Sequence, residues 1–249
     1  VAVKGIGGYH LCCDARSEHA VAALRARKKR PHKPLAVMFR SLEEVMHYCE
    51  CDAVAAALLA DPARPIVILH RRSGLPALIS PDTRDVGAFL PYAPLHHLLL
   101  AEISPLVMTS GNLAEEPIIK DESELPVLLG KIADLALTHN RPILRRCDDS
   151  VMKPAAGGPL LIRRSRGRVP DPLALPGKAV AGDAASILAC GADLKNTFCV
   201  TRGGHAFVSQ HIGDLSELKS VECFREAVED LCRLLEVAPA VVAHDLHPD

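Results

Sequence analysis

The sequence has no tryptophan and only three tyrosines and five phenylalanines among 249 residues, which leaves little with which to build stacking platforms for unpaired bases. It also lacks net charge, with 29 Lys and Arg against 30 Asp and Glu for a formal −1. That balance argues against a protein whose main business is wrapping nucleic acid, while leaving room for a local basic patch. No run approaches the roughly 20 uninterrupted apolar residues that a membrane helix needs. The opening Val1-Ala-Val-Lys-Gly5 lacks the charged-then-apolar order of a signal peptide, so the expected location is cytoplasmic. Nine cysteines occur at 12, 13, 49, 51, 147, 190, 199, 223 and 232, and none are spaced C-x-x-C. An odd count without that spacing speaks against a disulfide framework or a zinc ribbon, and the apolar settings of Cys190 and Cys199 suit reduced thiols packed as small hydrophobes. A Walker A motif is missing too, and Gly5-Ile-Gly-Gly8 lacks the third glycine of a dinucleotide fingerprint.

What is present is ample apolar content, 49%, in a chain long enough for one large or two ordinary domains. Strand and helix signals alternate. Val1-Ala-Val leads into the glycine loop, Ser17 caps a helix with Val21 and Leu24 on one face, and Leu35 to Phe39 reads as a buried strand. Ser41 with Glu44 makes a capping box, and Asp52 starts an Ala-rich helix. Ile66 to His70 and Leu106 to Thr109 are strands, separated by a Pro/Gly-rich loop and a helix around Leu95 to Leu100. Asp121 to Leu137 reads as a helix broken or started at Pro126, and a basic strand is expected from Pro159 to Arg168. The pattern implies an α/β domain with a twisted mixed sheet and flanking helices, over residues 1–175.

Pro170, Pro172, Pro176, Gly177 and Gly182 then mark a linker at 176–185. Residues 186–249 hold three short strands, at Ser186 to Cys190, Thr197 to Thr201 and His205 to Ser209, the last two joined through Gly203-Gly204. A helix follows with Val221, Phe224, Val228, Leu231 and Leu235 in register, and a last strand starts at Ala240. A hairpin, helix and strand are too little to close a core, so this piece is expected to dock on the first domain or to be the truncated start of a larger one.

The chemistry concentrates in Leu24-Arg-Ala-Arg-Lys-Lys-Arg-Pro-His-Lys-Pro-Leu35 and in Leu106-Val-Met-Thr-Ser-Gly-Asn112. Lys28 and Arg30 offer a point charge and a planar donor fork for oxyanions. Ser110 and Asn112 put short polar groups at the mouth of an apolar strand, and Gly111 lets the chain turn between them. A basic run is equally read as a solvated surface or an RNA patch, here Lys28 to Lys33 with Arg163 to Arg168, and Thr-Ser-Gly-Asn equally as a plain turn. Asp148 and Asp149 could pair with arginine or hold a metal. His96-His97 sits in an apolar helix and reads as structural. His244-Asp-Leu-His247 does not match the i, i+4 zinc pattern, and no metal site is expected.

In order along the chain, Lys4-Gly-Ile-Gly-Gly-Tyr-His-Leu11, Lys28-x-Arg30-Pro31, Lys33-Pro34-Leu35, Thr109-Ser-Gly-Asn112 and Asp149-Ser-Val151 resemble the YrdC-like domain. KGIGGYHL and Ser209-Gln-His-Ile-Gly-Asp-Leu215 narrow this to the hydrogenase maturation carbamoyltransferase family HypF. The resemblance covers about 175 residues as the YrdC-like domain and the rest as the start of an ASKHA-type (ribonuclease H-like) carbamoyl-transfer domain. The acylphosphatase-like and zinc-finger segments that precede the YrdC-like domain in the family are expected to be absent here.

The resemblance implies ATP as co-substrate with Mg²⁺ accompanying it, carbamoyl phosphate as carbamate source, carbamoyl-adenylate as product, and the C-terminal cysteine of HypE as final acceptor, on the way to the cyanide ligand of NiFe-hydrogenase. Lys28 and Arg30 would be catalytic, neutralising the triphosphate. Ser110, Asn112, Arg146, Ser150, Arg163 and Arg164 would bind nucleotide, with one of the two adjacent arginines facing inward. Gly5, Gly7, Gly8 and Tyr9 would hold the small acyl group, because glycines stand where threonylcarbamoyl-adenylate synthases carry threonines. Lys195 and Asn196 would meet the intermediate between domains. The competing expectations are threonylcarbamoyl-adenylate synthesis for tRNA modification and a non-enzymatic RNA-binding module.

Overall fold

A computed structural model describes residues 1–112, 116–176 and 185–246. Their main division into two compact units falls between Gly167 and Arg168.

The first unit is built on strands β1 (Ala2–Lys4), β2 (Tyr9–Asp14), β3 (Ala36–Met38), β4 (Ile66–His70), β5 (Asp85–Phe89), β6 (Leu106–Ser110), β7 (Ala136–Leu137), β8 (Val151–Lys153) and β9 (Leu160–Arg163). They form one mixed sheet in the order β7-β1-β2-β6-β3-β5-β4-β8-β9. Its central strands are buried on both faces, so they read as continuous apolar runs rather than alternating ones. Leu11, Val37, Ala88 and Val107 enter one core with Val21, Leu24, Val45, Leu59 and Leu128, while their neighbours Cys12, Met38, Phe89 and Met108 enter a second core with Leu100. The first core is covered by α1 (Glu18–Lys28), α2 (Leu42–Tyr48), α3 (Ala53–Ala60) and α5 (Leu125–Lys131), and the second by α4 (Pro94–Glu102).

The helix starts follow the expected caps. Ser17 accepts from Ala20 N at 3.2 Å, Ser41 from Glu44 N at 3.3 Å and Asp52 from Ala55 N at 2.8 Å, each satisfying an N–H that the helix leaves open. The Glu44 carboxylate does not close the box on Ser41; it accepts from Arg40 N at 2.7 Å and from Ser104 Oγ at 2.6 Å. α1 stops where Lys29 turns left-handed, φ +52°, and the Arg30 N–H reaches back to the Arg25 carbonyl at 3.1 Å.

Several expectations are corrected. Asp85–Phe89 lies in the stretch read as a loop, yet it is a central strand paired parallel to β3 and antiparallel to β4. Its interior Gly87 hid it, because a Cβ there would stand 2.7 Å from Ile66. The helix expected over 121–137 is confined to Leu125–Lys131. The long basic strand shrinks to Leu160–Arg163, and β8, its partner, went unread. Leu173–Ala174 (β10) pairs with the second sheet, so the first domain gives way before 175. The expected linker falls largely on 177–184, outside the described residues, as does His247.

The second unit has a sheet in the order β10-β13-β12-β11-β14, with β11 (Ile187–Ala189), β12 (Cys199–Arg202), β13 (His205–Val208) and β14 (Val241–Ala243). Gly203 and Gly204 both have positive φ, 54° and 78°, as a two-residue hairpin requires. α6 (Leu218–Leu235) lays Leu231 and Leu235 on Phe198 and Val200. β14 pairs parallel with β11 and is exposed. No helix among the described residues is long and apolar enough to cross a membrane.

Candidate functional site

β2 and β6 run antiparallel with His10 opposite Ser110, so the start of β2, the end of β6 and the loop entering β3 share one end of the sheet. Lys28, in the last turn of α1, reaches that end. Its ammonium donates to Ser110 O at 2.7 Å, Asn112 O at 2.8 Å and Asn112 Oδ1 at 2.6 Å, which occupies all three of its N–H groups. The side chain is 3% exposed. Burial pushes its pKa down to about 7, Arg30 and Lys33 push the same way, and Asp148 opposes them. Ser110 Oγ donates to the same Asn112 Oδ1 at 2.8 Å. Arg30 is held beside them, donating to Thr109 Oγ1 at 3.2 Å and to the carbonyls of Pro34 at 2.8 Å and Lys33 at 3.3 Å. Two stretches eighty residues apart in the chain therefore meet.

The remaining expected residues divide. Arg163 joins the group through Asp148: its Nη1 lies 3.4 Å from the Asp148 carboxylate and its Nε donates to Asp149 O at 2.9 Å. Its neighbour Arg164, just past β9, is half-buried. Arg146 turns its guanidinium to Ile118 O at 3.2 Å and Glu124 at 3.6 Å. Ser150 is fully buried, accepting from Ser165 N and donating to Arg166 O, each at 2.9 Å, so its hydroxyl is spent on joining two chain segments.

Gly5 N closes the glycine loop on Gly8 O at 2.9 Å. A Cβ on Gly7 would stand 2.2 Å from Cys147 O, and one on Gly8 would stand 2.5 Å from Ile118; these glycines are required by close packing of the chain on itself. Tyr9 is buried, its hydroxyl has no hydrogen-bond partner among the described residues, and burial raises its pKa. In the second unit Lys195 is exposed with φ +52°. Asn196 is buried, and its amide donates to Cys190 O at 3.0 Å and Ala192 O at 2.7 Å. Its side chain staples its own hairpin instead of facing outward.

A buried polar cluster lies behind the site; the sequence allowed Asp149 an arginine partner but did not assemble the rest. Asp149 accepts from Arg166 Nε at 2.9 Å and Nη2 at 2.8 Å. Arg166 also donates to the carbonyls of Ala63 and Arg64, each at 2.8 Å, and lies 3.5 Å over the Tyr92 ring. Tyr92 Oη is 3.3 Å from His10 Nε2, and His96 meets Tyr92 edge-on at 4.5 Å. Burial lowers the pKa of His10 and takes that of His96 to about 3. Burial acts against ionised Asp149, but His10 and Arg166 outweigh it and hold the carboxyl below its ordinary value. The position of Asp149 one residue before Ser150 was the available signal; nothing marked Tyr92. Arg166 and Lys28 both point inward, which removes two cations from the surface an RNA would need.

Asp148 and Asp149 face Arg163 and Arg166, and the described residues include no trio of His, Cys, Asp or Glu that could hold a metal. No disulfide joins any of the nine cysteines.

The family model for Sua5, YciO and YrdC, described as telomere recombination, matches residues 1–165. The chain belongs to this family. A second model, the HypF Kae1-like domain, matches residues 182–249. The carbamoyltransferase HypF of Rhizobium leguminosarum bv. viciae is 47% identical over 258 residues, covering all of this chain and 33% of the relative. A crystal structure of full-length HypF in a phosphate- and nucleotide-bound form is 49% identical, with TM-score 0.93 over 99% of this chain and 32% of that one. Escherichia coli YciO, at 22% identity and TM-score 0.56, shares the fold of the YrdC-type unit. In sequence and fold the chain thus corresponds to a HypF segment, and it spans about a third of the length of the curated relatives it matches.

Proposed function

We propose that this chain is the nucleotide-activating part of a carbamoyltransferase of hydrogenase maturation. In this reading it binds ATP and turns carbamate, released from carbamoyl phosphate, into carbamoyl-adenylate. A carbamate oxygen attacks the α-phosphorus and pyrophosphate leaves. The carbamoyl group then passes to the C-terminal cysteine of HypE. The observation that carries the proposal is the meeting of Lys28 with Ser110 and Asn112 at 2.6–2.8 Å beside Arg30, in a chain similar throughout to HypF.

Arg30, with Arg163 across the site, would take the negative charge of the triphosphate and of departing pyrophosphate, while Ser110 and Asn112 orient the nucleotide. Arg146 and Arg164 would add positive potential from further out, and the Gly5–Gly8 loop with Tyr9 would bound a small acyl group. Lys195 would meet the intermediate when it leaves. Such a site works by placed charge and orientation more than by covalent chemistry. Mg²⁺, carried by the phosphates, would supply Lewis-acid charge.

The test is pyrophosphate exchange into ATP, run with carbamoyl phosphate and separately with threonine plus bicarbonate. Exchange dependent on carbamoyl phosphate is expected. Exchange dependent on threonine would assign the chain to threonylcarbamoyl-adenylate synthesis instead, and steeply salt-dependent RNA binding without exchange would make it an RNA module.

A further inference from the structure

Arg25 sits one turn before Lys28 on α1, and the sequence makes it one of several cations at a helix C-terminus. Unlike its neighbour Arg27, whose guanidinium pairs with Asp134 at 2.8 Å, it is 6% exposed and faces inward. Its hydrogen bonds all go to backbone carbonyls. Nη1 donates to Arg30 O at 2.7 Å, Pro31 O at 3.1 Å and Lys33 O at 3.3 Å, Nη2 to Ile79 O at 3.0 Å, and Nε to Leu78 O. Burial lowers its pKa, and Asp82 opposes that at longer range; the Asp82 carboxylate itself lies 3.0 Å from His32 Nδ1.

A buried guanidinium is costly unless its donors are met, and here one group meets five acceptors drawn from two chain segments. Arg30 is pinned twice, its N–H by the Arg25 carbonyl at 3.1 Å and its own carbonyl by Arg25 Nη1. The far end of the loop is tied to the same turn, since Leu35 N donates to Ile79 O at 2.9 Å. The Lys33 carbonyl is shared, accepting from both Arg25 Nη1 and Arg30 Nε at 3.3 Å. A lysine in place of Arg25 offers three donors from one nitrogen and no planar fork, so it cannot span this set.

We infer that Arg25 is a positioning residue: it fixes the 30–34 loop so that Arg30 is in place for the β- and γ-phosphates before ATP arrives. The inference rests on the reading of this loop as the triphosphate site. Its gain is preorganisation, because a loop already ordered is not ordered at the expense of binding.

ATP and AMP binding are measured by calorimetry on the wild-type protein, Arg25→Lys and Arg30→Ala. Arg25→Lys is expected to weaken ATP by about tenfold or more and AMP, which lacks the outer phosphates, by less than about twofold. Unchanged ATP affinity in Arg25→Lys while Arg30→Ala loses it, or equal weakening of ATP and AMP, overturns the inference and leaves the site reading standing. If Arg30→Ala also binds ATP normally, the site reading falls and takes the inference with it. Should Arg25→Lys fail to fold, hydrogen exchange on the wild-type protein without nucleotide decides. The amides of Arg30 and Leu35 are expected to exchange as slowly as those of β3, and fast exchange at either overturns the proposal.

Discussion

Replacing Lys28 by methionine and titrating both proteins with ATP from about pH 7 to about pH 8.5 tests whether nucleotide binding takes up a proton at that amine. Without ligand, burial brings the ammonium to a pKa of about 7, with Arg30 and Lys33 adding to the depression and Asp148 resisting it. A triphosphate nearby favours the charged form and raises the pKa again. If only the charged form binds ATP tightly, apparent affinity follows the charged fraction. That fraction falls from about one half at pH 7 to about 3% at pH 8.5, so binding should weaken about fifteenfold over the range. The sign is fixed: a base whose pKa rises on binding favours the complex at low pH and loses it as pH climbs. Calorimetry at about pH 7.5 in buffers of differing ionisation heat should show uptake of about three-quarters of a proton. Lys28→Met should lose roughly 1.5 to 3 kcal/mol of binding for the missing charged hydrogen bond, with a flat pH profile and no uptake. A flat wild-type profile, or equal uptake in the variant, would refute the reasoning.

Gly7→Ala should cost about 2 kcal/mol or more in urea unfolding, because its Cβ meets the Cys147 carbonyl at 2.2 Å; Gly130→Ala, in α5 with open space around it, should gain about 0.5 to 1 kcal/mol, and similar values for the two would contradict the packing account. His96, held neutral with a pKa of about 3, makes folding lose stability as pH falls from about 6.5 towards 3. Near pH 5 the loss is about 2 kcal/mol, and His96→Phe should abolish that part of the acid sensitivity, read from melting temperature against pH. Arg166→Met strands the buried Asp149 carboxylate and should cost about 3 to 5 kcal/mol; a double variant with Asp149→Asn that recovers nothing would count against the pair.

The fold class was legible because three helix starts and several strands carry local signals: Ser17, Ser41 and Asp52 cap where they should, and the Gly203-Gly204 turn fixes its hairpin. What stayed hidden depends on partners distant in sequence. β5 contains a glycine that is explained only by Ile66 across the sheet, and β8 is three residues whose strand character comes from β4 and β9. At the site, Lys28, Arg30, Ser110 and Asn112 could be named from residue type and spacing. Ser150 could be named too, but its fully buried hydroxyl bonds backbone groups, a commitment that residue type does not reveal. Arg25 and Arg27 look alike in sequence, and only the third dimension sends one inward and the other to the surface.

Asn112 Oδ1 takes hydrogens from Lys28 and from Ser110. Lys28 arrives from the helix layer on the Val107 side, whereas Ser110 shares the opposite face with Met108. One amide oxygen is therefore a junction at which donors from the two sides of the sheet meet. An isosteric aspartate would turn that junction into a latch: its full charge would hold the lysine permanently and repel any incoming anion. A neutral acceptor at this atom would leave the lysine free to turn to an incoming anion.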